Sequence, residues 1–312
     1  MSITLRPTAL PTRSGARTTL VLCLLVALGP CTIDLYLPAF PLLQDDLRAS
    51  AAAIQLTLTA ATVGFAVGQL VVGQWSDSAG RRRPLLWAMG VHVLASVGVA
   101  VAPDLSWLLG LRFLQGAGAA GSAVVATAIV RDLFEGSAFV TVLARLALVG
   151  GLAPVVAPLV GSQLVQLVGW RGLFACVAGY GLAALALAAL LLPESLPADR
   201  RVPARRGMGA RYRSLLGDRV FVGVALIGGC LVSGVFAYMS SSSFLLQRTY
   251  GLDERGYGLV FTVGALAFVT GTQITARVLR RVRPGMLLAV SLPTLAISGF
   301  AIALVEVLGL GL

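Results

Sequence analysis

Residues 73–84 read GQWSDSAGRRRP and separate two long apolar segments of the chain. Gly73 and Gly80 allow a tight turn and a close approach of neighbouring helices, because glycine has no Cβ atom. Asp77 can cap a helix or pair with one of the arginines that follow it. An ordinary basic turn accounts for Arg81 to Arg83 but not for two glycines and an aspartate at this spacing. The stretch therefore predicts a structured turn between two helices.

The remainder of the chain is unusually apolar. Of its 312 residues, 57% are hydrophobic and 12% are charged, whereas a soluble domain carries about a quarter charged residues. A water-soluble fold of this composition could not cover its apolar surface. In contrast, a helix of roughly 20 apolar residues spans a bilayer and satisfies its own backbone hydrogen bonds. The composition therefore predicts an all-α integral membrane protein.

Apolar segments alternate with short polar gaps along the whole chain. About nine membrane spans are predicted, with approximate bounds at residues 19–43, 52–75, 84–102, 105–130, 138–168, 170–192, 219–246, 256–276 and 285–307. Arginines concentrate in alternate gaps, so the positive-inside rule places the N-terminus and every even-numbered gap in the cytoplasm. The net charge of +11 comes from these gaps. We interpret it as a topology signal and expect no nucleic-acid partner.

The longest polar interruption follows the sixth span and is rich in arginine. We interpret residues 193–218 as a cytoplasmic linker between an N-terminal six-helix bundle, 1–192, and a partial C-terminal bundle of about three helices, 219–312. A sequence echo supports two halves. After the eighth span, residues 271–284 read GTQITARVLRRVRP, which again places glycine, several arginines and proline at a cytoplasmic turn. Internal duplication of this kind is typical of secondary transporters.

The turn at residues 73–84 resembles the loop motif of the major facilitator superfamily, G-x-L-A-D-R-x-G-R-K/R. Residues 108–119 in the fourth span, LLGLRFLQGAGA, resemble the second motif of that superfamily. The membrane-embedded arginine of the second motif is implicated in proton coupling, and Arg112 holds its place here. An arginine within a span costs about 2.5–3.5 kcal/mol, so it generally faces a cavity or a partner. A structural ion pair or a snorkelling side chain is the alternative.

Two further motifs narrow the resemblance. Residues 153–162, APVVAPLVGS, are similar to the exporter-associated motif G-x-x-x-G-P-x-x-G-G, with alanine or serine in place of three glycines. The prolines interrupt the helical hydrogen-bond ladder and the small residues permit close packing, which together give a bendable seam. Residues 34–41, DLYLPAFP, resemble the D-x-Y-L-P-A-x-P stretch of drug:proton antiporters, especially the bicyclomycin-resistance (Bcr/CflA) group.

The resemblance implies the major facilitator fold, in which twelve spans form two pseudo-symmetric helical bundles. About nine predicted spans would make this chain a truncated version of that fold. The implied function is proton-coupled efflux of drugs or other small molecules across the bacterial inner membrane by alternating access. The expected partners are a small amphipathic substrate, protons and lipid. The protein is expected to be a multi-pass monomer, and the proton gradient takes the place of a cofactor.

Asp34 and Arg112 are the predicted proton-coupling residues. They lie about eight and seven residues from the outer ends of spans one and four, which places both roughly 10–12 Å below the outer surface. The two can meet if these spans are neighbours, as they are in the resembled fold. We expect Asp34 to carry the exchanged proton and Arg112 to tune it, with a buried structural pair as the alternative.

Other residues are assigned to the cavity and to gating. The predicted cavity residues offer aromatic and amide groups to an amphipathic ligand; they are Tyr36, Gln55, Gln115, Phe236 and Tyr238. The predicted gating residues come from the loop motif, the end of span four and the proline seam; they are Gly73, Asp77, Gly80, Arg81, Arg131, Pro154 and Pro158. Arg131 is the predicted partner of Asp77, as a latch between conformations or as a surface ion pair. His92 in span three is expected to be packed or hydrogen-bonded, with a proton relay as the alternative.

Three other functions remain open at this point. A metabolite exporter or an uptake symporter could use the same scaffold, because a fold does not fix its substrate. An inactive truncated transporter is the second alternative. A membrane-embedded enzyme or receptor is the third, but the sequence holds no nucleophile-base cluster and no H-E-x-x-H helix. The four cysteines lack the close pairing of a metal site. We therefore expect neither enzymatic activity nor a bound metal.

Overall fold

The computed structural model describes residues 12–201, 208–278, 281–282 and 284–308, and these contain no β-strand. The ten α-helices of this part are α1 (Thr12–Ile33), α2 (Phe40–Leu47), α3 (Ala51–Ala79), α4 (Arg82–Ala100), α5 (Leu105–Leu133), α6 (Gly136–Leu191), α7 (Met208–Gly217), α8 (Arg219–Phe244), α9 (Glu254–Val278) and α10 (Pro284–Val307). Short 3-10 helices occupy Leu37–Ala39 and Ala198–Arg200, and a π-helix occupies Leu245–Thr249. The predicted all-α fold is confirmed.

Seven helices of the described part are long and apolar enough to cross a membrane. Helix α6 has 56 residues, about 84 Å at 1.5 Å per residue, which is more than twice the roughly 30 Å hydrocarbon core. Gly169 interrupts α6 with a φ of 67° and a ψ of −178°, between the predicted fifth and sixth spans. Helix α10 adds a shorter apolar stretch, Gly285–Ala301. With α6 counted twice, the described helices therefore account for the nine predicted spans.

Polar side chains fix where several helices begin. The Ser50 hydroxyl accepts the N–H of Ala53 at 3.2 Å before α3. Before α5, the Asp104 carboxylate accepts the N–H of Trp107 at 3.0 Å, and Asp218 caps the first turn of α8 in the same way. Each cap satisfies an N–H group that has no partner within its own helix.

Glycines bring the backbones of neighbouring helices into contact. A Cβ atom added to Gly64 of α3 would lie 2.0 Å from the carbonyl oxygen of Phe113, so α3 and α5 touch backbone to backbone. On another face of α5, a Cβ added to Gly118 would lie 2.5 Å from the carbonyl oxygen of Ala88 in α4. Small residues at such crossings let membrane helices pack closely. Helix α5 is therefore held between α3 and α4.

The chain divides into two compact units, Met1–Thr262 and Val263–Leu312. The first unit contains α1 to α8, the beginning of α9 and every predicted site residue. The second contains the rest of α9 and α10. The predicted division into 1–192, 193–218 and 219–312 stays a prediction, and residues 1–11, 202–207, 279–280, 283 and 309–312 of those ranges lie outside the described residues.

Candidate functional site

Arg112 of α5 is fully buried, with 0% of its surface exposed. Its Nη1 atom donates to the Thr32 carbonyl oxygen at 2.9 Å and to Gln115 Oε1 at 2.5 Å. The guanidinium carbon lies 4.0 Å from the centre of the Tyr36 ring and 5.5 Å from that of Phe174. Hydrogen bonds and cation–π contacts thus hold the group on one side. Its Nε and Nη2 atoms have no hydrogen-bond partner among the described residues.

Asp34 lies directly after the end of α1, in the short break before the 3-10 helix at Leu37–Ala39. It is 3% exposed, and its Oδ1 atom has no hydrogen-bond partner in the described part of the chain. An unpartnered carboxylate oxygen in an apolar setting is costly, and protonation or a new donor relieves that cost. The break in the helix therefore presents a buried acid whose hydrogen bonding is incomplete.

The predicted contact between Asp34 and Arg112 is absent from this conformation. None of the ion pairs found among the described residues joins them. Arg112 instead contacts Thr32 and Tyr36, two residues before and two residues after Asp34. The flat guanidinium stacks on the Tyr36 ring while it donates to a main-chain carbonyl. Helices α1 and α5 are neighbours, as expected, but the Asp34 and Arg112 side chains form no ion pair in this conformation. Their role in proton coupling stays a prediction.

A polar network behind Arg112 extends into α4. The amide nitrogen of Gln115 donates to the Ser96 hydroxyl at 2.8 Å. The Nδ1 atom of His92 lies 3.1 Å from the main-chain oxygen of Gln115, and its Nε2 atom lies 3.4 Å from Ser96 Oγ. All of these groups are fully buried. Of the predicted cavity residues, Gln115 and Tyr36 therefore join the Arg112 cluster.

The other predicted cavity residues lie where α8 meets the first helices. The Gln55 amide donates to the Ser240 carbonyl oxygen at 3.2 Å. Phe236 is half-buried against the apolar core that surrounds Tyr36. Tyr238 is 52% exposed and stacks on the Phe261 ring at 6.0 Å. These three predicted cavity residues thus lie at the contact with α8 and do not belong to the Arg112 cluster.

Several residues of this region could hardly be recognised from the sequence. Thr32 contributes only its main-chain oxygen, Phe174 is one of many apolar residues in its span, and Tyr257 of α9 is fully buried beside Phe261. Ser96 is the exception, because its spacing of four residues from His92 places both on one face of a helix. The spacing of His92 and Ser96 was the one sequence pattern that could have indicated a member of this group.

The end of α8 closes over the break that follows Asp34. The Ser243 hydroxyl donates to the Leu37 carbonyl oxygen at 2.7 Å. The Gln247 amide donates to the Pro38 carbonyl oxygen at 3.1 Å. In the adjoining π-helix, Arg248 forms an ion pair with Asp45. These contacts form what we call the α8 seal, comprising Ser243, Gln247 and Arg248.

Arg81 is the centre of the loop motif. Its guanidinium forms an ion pair with Asp77 and a second one, at 2.8 Å, with Asp132 at the end of α5. It also donates to the Ser76 hydroxyl at 3.1 Å. The Ser195 hydroxyl, which follows α6, donates to Asp132 at 2.9 Å. One arginine therefore ties the turn after α3 to the ends of α5 and α6.

Asp77 and Arg131, the predicted latch, form no ion pair in this conformation, and their gating role stays a prediction. Asp77 pairs with Arg81, one helical turn further along the chain, while Arg131 is exposed. The two predicted partners nevertheless line one pocket of about 380 Å³. Its lining residues are Gln69, Gly73, Ser76, Asp77, Arg81, Ala123, Val124, Thr127, Ala128 and Arg131. Gly73 lines that pocket, and because it has no Cβ atom it also lets the Val124 side chain of α5 pack closely against α3.

Glu194 caps the start of α4 from a distant part of the chain. Its carboxylate accepts the N–H groups of Arg81 at 2.7 Å, of Arg82 at 3.2 Å and of Leu196 at 3.0 Å. Gly80 is required beside it, because its φ is +95° and an added Cβ would lie 2.5 Å from Glu194 Oε2. Sequence reasoning missed Glu194 and Asp132, since neither belongs to the quoted motif.

The hydrogen bonds to Glu194 affect its ionisation. Burial opposes its charged form, but the backbone N–H groups of Leu196, Arg81 and Arg82 outweigh burial and lower the pKa of the carboxyl group below its ordinary value. A depressed pKa in the folded state means that the ionised group stabilises the fold above the unfolded pKa of about 4.3. That stabilisation is lost as the pH falls through the folded pKa.

Replacing Glu194 with glutamine is expected to lower the free energy of unfolding at pH 7 by about 1 kcal/mol, the usual value for a helix N-cap. The difference from the wild type should shrink as the pH falls from about 4.3 through the lower pKa of the folded state, because the unfolded chain and then folded Glu194 take up a proton over that range. Thermal unfolding in detergent at both pH values measures this. Glu135→Gln is the matched control, because Glu135 precedes α6 without a side-chain cap bond. A difference that does not change with pH would contradict the assignment.

Pro154 and Pro158 lie inside α6 without breaking it in this conformation. The backbone of α6 keeps helical dihedral angles through both prolines and departs from them at Gly169. Gly161, one turn after Pro158, lies so close to the break after α1 that an added Cβ would be 1.9 Å from the Leu35 carbonyl oxygen. The gating role of the prolines stays a prediction, while the small residue of this motif has a clear packing role.

A family profile described as Major Facilitator Superfamily matches residues 22–312. The chain belongs to the major facilitator superfamily. It is therefore a multi-pass membrane protein of a transporter family, and the prediction that it is not an enzyme agrees with that family. A member of this superfamily from Bacillus subtilis, the transporter YdgK, is 39% identical over 260 residues, which cover 82% of this chain and 65% of the relative.

A second relative supports the predicted subgroup. The bicyclomycin resistance protein homolog of Haemophilus influenzae is 30% identical over 293 residues, which cover 94% of this chain and 74% of the relative. This confirms the resemblance to drug:proton antiporters of the bicyclomycin-resistance group. The motif at residues 34–41 was therefore a sound guide to the subgroup.

A solved structure confirms the major facilitator fold. A bacterial homolog of the human lysosomal transporter Spinster, inward-facing and unoccupied, superimposes with a TM-score of 0.70 at 17% identity. The superposition covers 87% of this chain and 64% of that one. The chain thus spans just under two thirds of this structure and of the Bacillus relative.

Proposed function

We propose that this chain exports small amphipathic molecules across the bacterial inner membrane in exchange for protons. It would work as a monomer by alternating access, without a cofactor. The observation that carries the proposal concerns the buried Asp34 carboxyl and the nearby Arg112. Among the described residues, Asp34 Oδ1 and two nitrogens of Arg112 have no hydrogen-bond partner. Hydrogen-bonding groups without partners, at the same depth in the membrane, suit a site at which protons and substrate bind in turn during the transport cycle.

Proton exchange follows from this incomplete hydrogen bonding. A proton on Asp34 removes the buried negative charge and suits the conformation in which Arg112 donates to Thr32 instead. After proton release, the free Nε and Nη2 atoms of Arg112 are the available donors for the carboxylate. A substrate that enters the cavity competes for the same groups. Binding of the proton and binding of the substrate thereby exclude each other.

Alternating access is supported by the α8 seal. Ser243, Gln247 and Arg248 bind the break after Asp34, so the site is closed at the end that contains Asp45. The arginine-rich loop motif lies at the opposite end of the helices, which the positive-inside rule assigns to the cytoplasm together with the N-terminus. In this orientation the seal closes the site to the outside. Its release would open the site outward.

The proposal is tested by bicyclomycin accumulation in cells that express the chain. Wild-type cells should accumulate less bicyclomycin than cells without the protein, and a protonophore should abolish the difference. Asp34→Asn should behave like the protonophore-treated wild type, because asparagine cannot carry the exchanged proton. Asp199→Asn, at an exposed position, is the matched control and should export normally.

Three outcomes would contradict the proposal. Normal export by Asp34→Asn would remove Asp34 from proton coupling. Higher accumulation in wild-type cells than in cells without the protein would indicate uptake, as in a symporter. Equal accumulation in both would show that this chain does not transport bicyclomycin.

A further inference from the structure

His92 occupies a space that the neighbouring helices leave for it. It lies in α4 and is fully buried. A Cβ atom added to Gly181 of α6 would lie 2.9 Å from His92 Cδ2, and one added to Gly118 of α5 would lie 2.8 Å from His92 Cβ. A larger residue at Gly181 would displace the imidazole, and one at Gly118 would also push away the α4 backbone that carries it. The ring is therefore fixed between α5 and α6.

The hydrogen bonds of His92 define its tautomer. Its Nδ1 atom faces the main-chain oxygen of Gln115, which can only accept, so Nδ1 carries the proton. Its Nε2 atom faces the hydroxyl of Ser96, which in turn donates to the His92 carbonyl oxygen at 2.7 Å. His92 thus binds the main-chain oxygen of Gln115, and Ser96 binds its side-chain amide nitrogen.

Because Gln115 is held in place, it also fixes the position of the Arg112 guanidinium. With its amide nitrogen held by Ser96, its Oε1 atom points to Arg112 Nη1 at 2.5 Å. The same Nη1 atom reaches the Thr32 carbonyl oxygen of α1. Arg112 is therefore anchored from α4 through one nitrogen, and the nitrogens that could serve Asp34 stay free.

We propose that His92 is a positioning residue for Arg112: together with Ser96 it fixes Gln115, and Gln115 holds the guanidinium on Thr32 and away from Asp34. The consequence for transport rests on the proposed proton-coupled function. The positioning itself does not, since it concerns only where the guanidinium is held. A labelling measurement can therefore test it without any transport.

Three substitutions separate the Nδ1 hydrogen bond from simple filling of space. In His92→Asn the amide nitrogen takes the place of Nδ1 and keeps the bond to the Gln115 carbonyl oxygen. In His92→Gln the amide nitrogen takes the place of Nε2 instead, and in His92→Leu no donor remains. Ser96→Ala is a fourth, smaller change that removes the acceptor for the Gln115 amide.

The first readout is modification of Arg112 by phenylglyoxal in detergent, followed by mass spectrometry. Exposed Arg131 serves as the internal reference for reagent and folding. We expect His92→Asn to label Arg112 at the wild-type rate, and His92→Gln, His92→Leu and Ser96→Ala to label it several-fold faster. Equal labelling in all variants would overturn the proposal. Equally fast labelling in all three His92 variants would also overturn it, because space filling would then explain the effect.

The second readout is the rate of proton-driven bicyclomycin export in proteoliposomes. His92→Gln and His92→Leu should lower kcat roughly tenfold with little change in KM, because small displacements of a reacting group cost up to about 10²-fold. His92→Asn should restore the rate. If the wild type exports nothing, the proposed function fails, whereas the labelling order still decides the role of His92. A rise in KM with kcat unchanged would overturn the link to coupling.

Discussion

A Gly161→Ala variant is expected to lose about 3 kcal/mol of stability, the upper end of the usual cost of overpacking. The added Cβ would lie 1.9 Å from the Leu35 carbonyl oxygen and 2.8 Å from its carbonyl carbon. These are backbone atoms, so no side-chain rotation can relieve the collision. The break after α1, which carries Asp34 and Tyr36, must move away from α6. Thermal unfolding in detergent measures the loss, and bicyclomycin export should fall with it.

Gly151→Ala is the matched control for this prediction. Gly151 lies in the same helix α6, but an added Cβ there meets nothing within 4 Å. Alanine is the better helix former by roughly 1 kcal/mol, so this variant should be as stable as the wild type or slightly more stable. If both substitutions lowered the unfolding temperature equally, the close approach at Leu35 would not explain the loss. If neither did, the two backbones would be further apart than described.

An Arg112→Lys variant is expected to lose roughly 100-fold in the rate of proton-driven export. Lysine keeps the positive charge but has no planar group to stack on the Tyr36 ring and only one nitrogen for the several acceptors. It cannot reach Thr32 and Gln115 while leaving two donors free for Asp34. The proteoliposome export rate, with bicyclomycin as the probe, measures the effect.

Arg213→Lys controls for a general effect of this substitution. Arg213 is exposed in α7 and belongs to none of the predicted sites. Its replacement should leave export within about twofold of the wild type, since exposed substitutions usually change little. If the Arg112→Lys variant exported at the same rate as the wild type, a positive charge alone would suffice at this position. The planar stack on Tyr36 would then have no part in coupling.

The amino-acid sequence by itself determined the helices and the family. Runs of about 20 apolar residues can only span a bilayer as helices, so local composition fixed the nine spans and even the break between the fifth and sixth. The motif at residues 73–84 indicated the superfamily, and the motif at residues 34–41 indicated the subgroup. Together with the motif at residues 108–119, they also identified Asp34, Arg112 and Arg81 as the important charged residues, because a charge within or beside an apolar helix needs a specific reason.

Only the tertiary structure decided which partner each charged residue has. Asp77 pairs with Arg81 rather than Arg131, and Arg112 binds Thr32 and Tyr36 rather than Asp34. The sequence could not choose among these partners, because the choice depends on how each helix is rotated against its neighbours.

The loop motif also has a partner that the sequence could not indicate, and this partner lies much further along the chain. Glu194 reaches the N–H group of Arg81 across 113 sequence positions. The motif predicted the turn, but the acid that completes it comes from the end of α6. The packing of α6 against α4 brings the two together, at close approaches such as that of Gly181 to His92. Composition determines that the helices form, and the close packing between them determines the site.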